Sequence, residues 1–262
     1  MKTRREFLAS AGVMAAMSWA GGATSGFAVN CKAQALENEP GARKDEEKIA
    51  EVPEVLDHIL FGCADLERGI AWVEERTGVK ALFGGVHPGR GTQNALLSLG
   101  ERHYLEIIAP DPKQAGTTGP QSSVERLGLR ELKEPRLVTW AVHPGSAAAL
   151  AEKLKKSGVA ADGPTPGARK RPDGRLLQWQ TVNLANDAGG LLPFFIEWGA
   201  ETVHPSVDAP KGCSIKRFWV ESPDAEKLAK QFALIGVNVD VERGEKARLR
   251  ARIKGPKGEV EL

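Results

Sequence analysis

Short stretches of alternating hydrophobic and polar residues divide this chain into repeated units. The first unit opens with an apolar strand at 56–61, continues into an amphipathic helix, and ends with a second apolar strand at 103–108. Within the helix, Leu66 and Ile70 recur at helical spacing, whereas the strands are short, mainly apolar runs. The pattern therefore predicts one strand, one helix and three further strands between residues 55 and 112.

The same order of elements returns twice further along the chain. A second unit at 136–200 begins with strand 137–142 and ends with strand 194–198, and a shorter third unit occupies 214–262. Because several strands follow each helix, the pattern favours an α+β fold over a single parallel α/β domain. Units of this size cannot cover their own sheets, so we expect these βαβββ modules to stack in pairs as a half-open curved sheet.

Each of the first two units ends on an apolar strand that carries one central glutamate, Glu106 in the first and Glu197 in the second. A carboxylate inside an apolar strand is costly unless another polar group pairs with it. Its recurrence at the same place in a repeated unit predicts a shared polar cleft. The basic run 169–171 is open to two interpretations, a solvated turn or an anion site, and the turn is favoured.

The N-terminus has the features of an export signal. Arg4 and Arg5 precede the uncharged, Ala- and Gly-rich run 8–20, which is typical of a twin-arginine signal peptide. The run is too short for a comfortable membrane span of about 20 apolar residues. We therefore predict cleavage after Ala28 or Ala35 and a periplasmic protein without a stable membrane anchor.

Composition bears on the predicted leader, on nucleic-acid binding and on structural zinc. Residues 1–35 form the predicted signal and cleavage region, and residues 36–54 are polar enough to predict a flexible leader. The formal net charge of +2 gives no electrostatic argument for a nucleic-acid partner. The few cysteines show no zinc-finger spacing, so a structural zinc site is not expected.

Several fragments in this order resemble the vicinal oxygen chelate superfamily, and more narrowly its glyoxalase-like branch. The resemblance covers about residues 55–205 and rests on the fragments Leu56-Asp57-His58-Ile59, His87-Pro88-Gly89-Arg90-Gly91-Thr92-Gln93-Asn94, Tyr104-Leu105-Glu106-Ile107-Ile108-Ala109-Pro110, Arg171-Pro172-Asp173-Gly174 and Leu191-Leu192-Pro193-Phe194-Phe195-Ile196-Glu197-Trp198-Gly199. It implies a glyoxalase-like domain made of two modules, at 55–112 and 136–200, followed by a less similar third module.

The resemblance also implies a metal site, because the first and last strands of each module can place one ligand in the cleft. Here it assigns His58, Glu106 and Glu197 to a divalent cation such as zinc, nickel or manganese, with Glu106 and Glu197 as catalytic carboxylates. Thr139 stands where the second module should supply His or Gln. This departure disfavours ring-cleaving dioxygenase chemistry, which uses two histidines and one carboxylate.

Other polar and aromatic residues are candidates for substrate binding. Thr92 and Asn94 share one face of their strand, His87 lies in a preceding Gly/Pro-rich turn, and Trp179 can form an aromatic wall.

Two functions remain open at this point. The protein either performs metal-dependent lyase or isomerase chemistry on a small oxygen-bearing organic molecule, or binds such a molecule without metal and without catalysis. The unpartnered third module predicts either packing on the first two modules or a homodimer.

Overall fold

The computed structural model describes residues 51–119, 122–171 and 173–262, so the predicted signal peptide and most of the predicted leader lie outside the described residues. The strands are β1 Leu56–Gly62, β2 Leu82–His87, β3 Thr92–Ser98, β4 Tyr104–Pro110, β5 Arg136–Val142, β6 Ala161–Lys170, β7 Leu176–Leu184, β8 Phe194–Trp198, β9 Ser214–Ser222, β10 Asp240–Arg243, β11 Arg248–Gly255 and β12 Gly258–Glu261. The helices are α1 Leu66–Thr77, α2 Ser123–Arg126, α3 Ala147–Lys156, α4 Pro205–Asp208 and α5 Ala225–Ile235. None of these helices is both long and apolar enough to span a membrane.

Strands β1–β8 form one curled, open sheet in the order β2-β3-β4-β1-β5-β8-β7-β6. Within each module the first and last strands lie side by side and run parallel, β1 with β4 and β5 with β8. The two modules join where β1 pairs antiparallel with β5. The predicted α+β fold with paired modules in a half-open sheet is therefore confirmed.

Helices α1 and α3 begin and end where local sequence signals predict. Asp65 caps α1 by accepting a hydrogen bond from the backbone N–H of Arg68, and Gly78 ends the helix with a φ of 80°. Ser146 caps α3 in the same way. The apolar face of α1 is buried against the convex side of the sheet, where the rings of Phe61 and Trp72 lie 4.9 Å apart.

Strand β6 is an element that the sequence pattern did not predict. It contains two prolines and two glycines, and the basic run 169–171 that was expected to form a solvated turn includes its last two residues. Proline is tolerated in a strand at the edge of a sheet, where no second neighbour needs its missing N–H. Because β6 is the last strand of the order, its far side is such an edge.

The third module packs on the first two. Its strands form a second sheet in the order β10-β9-β11-β12, and helix α5 covers one face. The apolar residues of that face belong to the same core cluster as the convex side of the large sheet. Phe218 of β9, for example, lies 4.7 Å from the ring of Trp140 in β5. The homodimer stays a prediction.

The concave face of the large sheet is filled at both ends. Around α2, Val124, Leu127 and Leu129 pack on Leu60 and Val138. At the other end, Ala209, just after α4, packs on Leu96 and Tyr104. A polar section of the concave face lies between these two apolar clusters.

The contact between the third module and α1 depends on a glycine. A Cβ added at Gly255 would collide with the backbone carbonyl of Thr77, at the end of α1. We expect Gly255→Ala to lower the free energy of unfolding by about 1–3 kcal/mol, measured by urea denaturation, because either β11 or α1 must shift. Gly116→Ala is the control, since an added Cβ meets nothing within 4 Å there. Equal stability of the two variants would contradict this close packing.

Candidate functional site

A histidine held between two carboxylates lies at the centre of the concave face. His58 is 2% exposed and projects from β1, the strand next to β4 and β5. Its Nδ1 lies 2.6 Å from Oδ1 of Asp57, and its Nε2 lies 3.4 Å from Oε2 of Glu106 in β4. The structure thus brings together the predicted pair of His58 and Glu106.

The other oxygen of Glu106 is bound by residues of the first module as well. Asn94 in β3 donates from Nδ2 to Oε1 of Glu106 over 2.7 Å, and Nε2 of His87 lies 3.7 Å from the same oxygen. His87 is held in turn by Thr92, whose Oγ1 lies 2.9 Å from Nδ1 of His87. Three of the predicted substrate-binding residues, His87, Thr92 and Asn94, therefore surround Glu106.

An arginine from the second module completes this network. Arg169 in β6 donates from Nη1 to Oδ1 of Asn94 over 2.6 Å. The amide of Asn94 therefore presents its donor to the carboxylate of Glu106 and its acceptor to the guanidinium. Because β2 and β6 are the two ends of the sheet order, this bond reaches across the open side of the curled sheet.

Asp57 is the second anchor of the network. Its Oδ2 accepts a hydrogen bond from Nε1 of Trp198 over 3.0 Å and lies 3.3 Å from Nε2 of His204. The ring of Tyr104 stacks on His58 with 4.4 Å between the centroids. These contacts fix the plane of the imidazole between its two carboxylates.

The electrostatics follow from this arrangement. Burial alone would lower the pKa of His58, but the hydrogen bonds and charges of Asp57 and Glu106 outweigh it and raise the pKa to about 9. Burial alone would raise the pKa of Glu106, but its bonds to His58 and Asn94 and the charge of His87 lower it to about 2. At neutral pH His58 is therefore a cation between two carboxylates. Burial, by contrast, lowers the pKa of His87.

Glu197 lies away from this network, so the structure does not bring it together with His58 and Glu106, the other two predicted metal ligands. Its Oε2 accepts a hydrogen bond from the backbone N–H of Ala147 over 2.6 Å, at the first turn of α3. Side chains alternate along a strand, and Glu197 shares the helix-covered face of β8 with the core residue Phe195. A carboxylate at a helix N-terminus is well placed to satisfy free backbone donors.

Trp179 also lies apart from Glu106. It packs on Trp198 with 5.8 Å between ring centroids, at the Asp57 side of the network. A shallow groove of about 310 Å³ runs along β6, β7 and β8 beside these residues. Trp179, Trp198 and Glu197 belong to its lining, and His58 does not.

The residues present do not fit the predicted divalent metal. Both ring nitrogens of His58 are engaged by carboxylates, so neither is free to bind a cation in this arrangement. The second module offers Thr139 opposite Leu60, and Ala141 opposite His58, so it adds no ligand to the first. Among the described residues, no three His, Cys, Asp or Glu side chains form a metal-binding group.

The sequence analysis missed Asp57, Tyr104 and Arg169 as parts of this network. Asp57 and Tyr104 lie within fragments that carried the family resemblance, and a charged residue in an apolar strand was the available signal for Asp57. Arg169 lies in the basic run for which a solvated turn was favoured over an anion site, because its strand was not predicted.

The buried network predicts how stability depends on pH. Because the folded pKa of His58 is raised from 6.5 to about 9, its contribution is complete below pH 6.5 and is lost as the pH rises through 9. The full loss is about 3 kcal/mol. Because the pKa of Glu106 is lowered from 4.5 to about 2, its contribution is present above pH 4.5 and is lost as the pH falls towards 2. Urea unfolding across this range measures both declines, and His58→Gln should abolish the alkaline one. A wild-type stability that is flat between pH 6.5 and 9 would contradict the charged state of His58.

Solved structures resemble this chain to different degrees, all at low sequence identity. A hypothetical protein from Staphylococcus aureus superposes with a TM-score of 0.59 and 18% identity, covering 74% of this chain and 87% of that one. Methylmalonyl-CoA epimerase from Mycobacterium tuberculosis gives a TM-score of 0.42 and 21% identity, over 57% of this chain and 91% of its own. A variant of the Streptomyces coelicolor methylmalonyl-CoA epimerase, in complex with 2-nitronate-propionyl-CoA, gives 0.43 and 19%, over 58% and 99%.

Family membership rests on the sequence itself. None of the curated proteins matches this chain. A family model described as a glyoxalase-like domain, however, matches residues 56–236, which is more than half of the chain and includes both modules of the large sheet. The chain therefore belongs to the family of glyoxalase-like domains.

Proposed function

We propose that this protein binds a small oxygen-bearing organic molecule on the concave face of the large sheet, without a metal ion. The observation that carries the proposal is the way in which His58, Glu106 and Asn94 satisfy one another. Their hydrogen bonds hold a row of polar groups in place without leaving a set of ligands for a cation. Such fixed polar groups can orient the oxygens of an organic ligand.

An apolar wall faces these polar groups. Phe194 of β8 lies with its ring edge towards His58, 5.6 Å between centroids, and it pairs with Ala141 of β5. Ile196 follows two residues later on the same face of β8. A site with apolar walls and a few oriented polar groups is the usual form of a small-molecule site.

His87 is the part of the network that solvent reaches. Its side chain is 21% exposed, whereas His58 is 2% exposed. A ligand that arrives from solvent therefore meets His87 first and Glu106 behind it. Since its pKa is lowered by burial, His87 is neutral at neutral pH and can accept or donate a hydrogen bond through a ring nitrogen.

The two predicted glutamates provide a matched test of this function. In calorimetric titrations with 2-oxopropanoate and with catechol, we expect at least one compound to bind the wild-type protein. Glu106→Gln should weaken that binding by about tenfold or more, because the carboxylate that orders His87 and Asn94 is lost. Glu197→Gln is the control: it should lower stability through α3 and leave binding unchanged.

The same titrations separate metal-free from metal-dependent binding. We expect equal dissociation constants in the presence of a chelator and after loading with zinc, nickel or manganese. Near-stoichiometric metal in the purified protein, together with binding that the chelator abolishes, would refute the metal-free site and favour metal-dependent lyase or isomerase chemistry. Equal binding by Glu106→Gln and the wild type would place the ligand elsewhere.

We also propose that the protein is exported to the periplasm by the twin-arginine pathway. The support is the sequence before the described residues: paired arginines, a short uncharged run, and small residues before Ala28 and Ala35. On this proposal the mature chain begins after one of these two alanines, and residues up to 54 form a leader to the three modules.

Replacing Arg4 and Arg5 together with lysine tests the export pathway. Lysine keeps the positive charge, so a general requirement for basic residues is still met while the arginine pair is lost. We expect the unprocessed precursor to accumulate in the cytoplasmic fraction, detected by immunoblot after cell fractionation. Unchanged processing and periplasmic recovery of the double variant would rule out this pathway.

A further inference from the structure

We propose that the ligand of the concave face carries a carboxylate group and that Arg169 is the residue that recognises it. The inference rests on the proposed binding function and adds the chemical class of the ligand. It starts from the surroundings of Arg169 in β6.

Arg169 is a buried cation without an ion-pair partner. Arg169 is only 7% exposed, yet no carboxylate among the described residues forms an ion pair with its guanidinium. Nearby Arg171 and Arg175 are paired with Asp208 and Asp173 and are more exposed. The charge of Glu106 acts on the guanidinium only through the intervening amide of Asn94, so a group in direct contact with Arg169 is expected to come from outside the chain.

The unused donors of Arg169 lie along one edge of its guanidinium. Nη1 donates to the amide of Asn94, whereas Nε is buried and has no hydrogen-bond partner among the described residues. Nε and the second Nη form a planar pair of donors that matches the two oxygens of a carboxylate. A carboxylate bound there would satisfy Nε without breaking the bond to Asn94.

The strand across from Arg169 leaves space for its guanidinium. At this point β2 carries Gly84 and Gly85, and a Cβ at Gly85 would lie 3.2 Å from Nη1 of Arg169. A Cβ at Gly84 would overlap Oδ1 of Asn94. Any side chain at these two positions would press on the arginine or on the amide that holds it. The glycines therefore keep a gap that the guanidinium fills.

On this proposal a ligand reaches the network beside the guanidinium, at the free ends of the large sheet. Strands β2 and β6 are the free ends of the large sheet and are not hydrogen-bonded to each other. Arg169 closes the gap with a long, flexible side chain rather than with backbone. His87, the most exposed of the side chains that contact Glu106, lies at the end of β2 beside it. A ligand entering here meets Arg169 and His87 together.

A matched pair of compounds isolates the carboxylate. 2-Oxopropanoate and 2-oxopropanamide have the same size and shape, and only the first is an anion. We expect 2-oxopropanoate to bind the full mature protein at least about tenfold more tightly than the amide in calorimetric titrations. Inorganic phosphate should not compete, because one planar edge leaves its remaining oxygens without donors.

Variants of β6 assign the recognition to one side chain. Arg169→Gln should remove the preference for the acid over the amide, and Arg169→Lys should keep only part of it, because lysine lacks the planar pair of donors. Lys170→Gln is the control for overall charge, since Lys170 is the exposed neighbour on the same strand. Thermal unfolding of each variant shows whether it is folded before binding is measured.

The outcomes separate this inference from the proposed function. If acid and amide bind equally, or if Arg169→Gln keeps the preference, the carboxylate assignment is overturned while a ligand lost in Glu106→Gln still supports the binding site. Competition by phosphate would show that the site accepts anions in general. That result would also overturn the assignment of a carboxylate. If neither compound binds the folded wild-type protein, the inference fails. The proposed function is then supported only if catechol binds the wild-type protein and Glu106→Gln weakens that binding.

Discussion

The buried charge of His58 is the constraint on which the concave face depends. An imidazolium on an inner strand of a sheet is tolerated only if its surroundings supply compensating charge and hydrogen bonds. Asp57 and Glu106 supply them, one at each ring nitrogen. Each carboxylate then needs further donors, so the requirement spreads outward: to Trp198 of β8 on one side, and to Asn94 of β3 on the other. Strands from both modules are fixed relative to one another by this chain of polar contacts.

Repetition in the sequence was enough to predict the sheet and one half of the site. The first and last strands of the first module were recognisable by their apolar residues, and pairing them places His58 near Glu106. Glu197 was expected in the same cleft as Glu106, but its position in the repeat does not determine which face of β8 it occupies. Phe195 and Glu197 share the convex side, and the inward positions of β8 are Phe194 and Ile196. A difference of one residue along a strand decides the side, and local pattern does not resolve it when both faces are apolar.

The contribution of β6 was beyond prediction for a different reason. Prolines and glycines in its sequence are typical of a loop, and only its position at the free edge of the sheet allows them in a strand. That position depends on how β7 and β8 pair, which is tertiary information. Arg169 reaches Asn94 only because the large sheet curls until its two ends face each other. A residue that meets its partner 75 positions away by the curvature of a sheet leaves no local trace in the sequence.

The third module gives the two faces of the large sheet different roles, because it packs on only one of them. By packing on the convex side, it extends the core around Trp140 and turns the surface of α1 that it covers into interior. Most of the apolar packing therefore lies on the convex face of the sheet, on the side away from His58. The inner side coheres instead through the polar contacts of Asp57, His58 and Glu106. Substitutions on the convex side therefore act on folding through apolar packing, whereas substitutions on the inner side act through charge balance and hydrogen bonds.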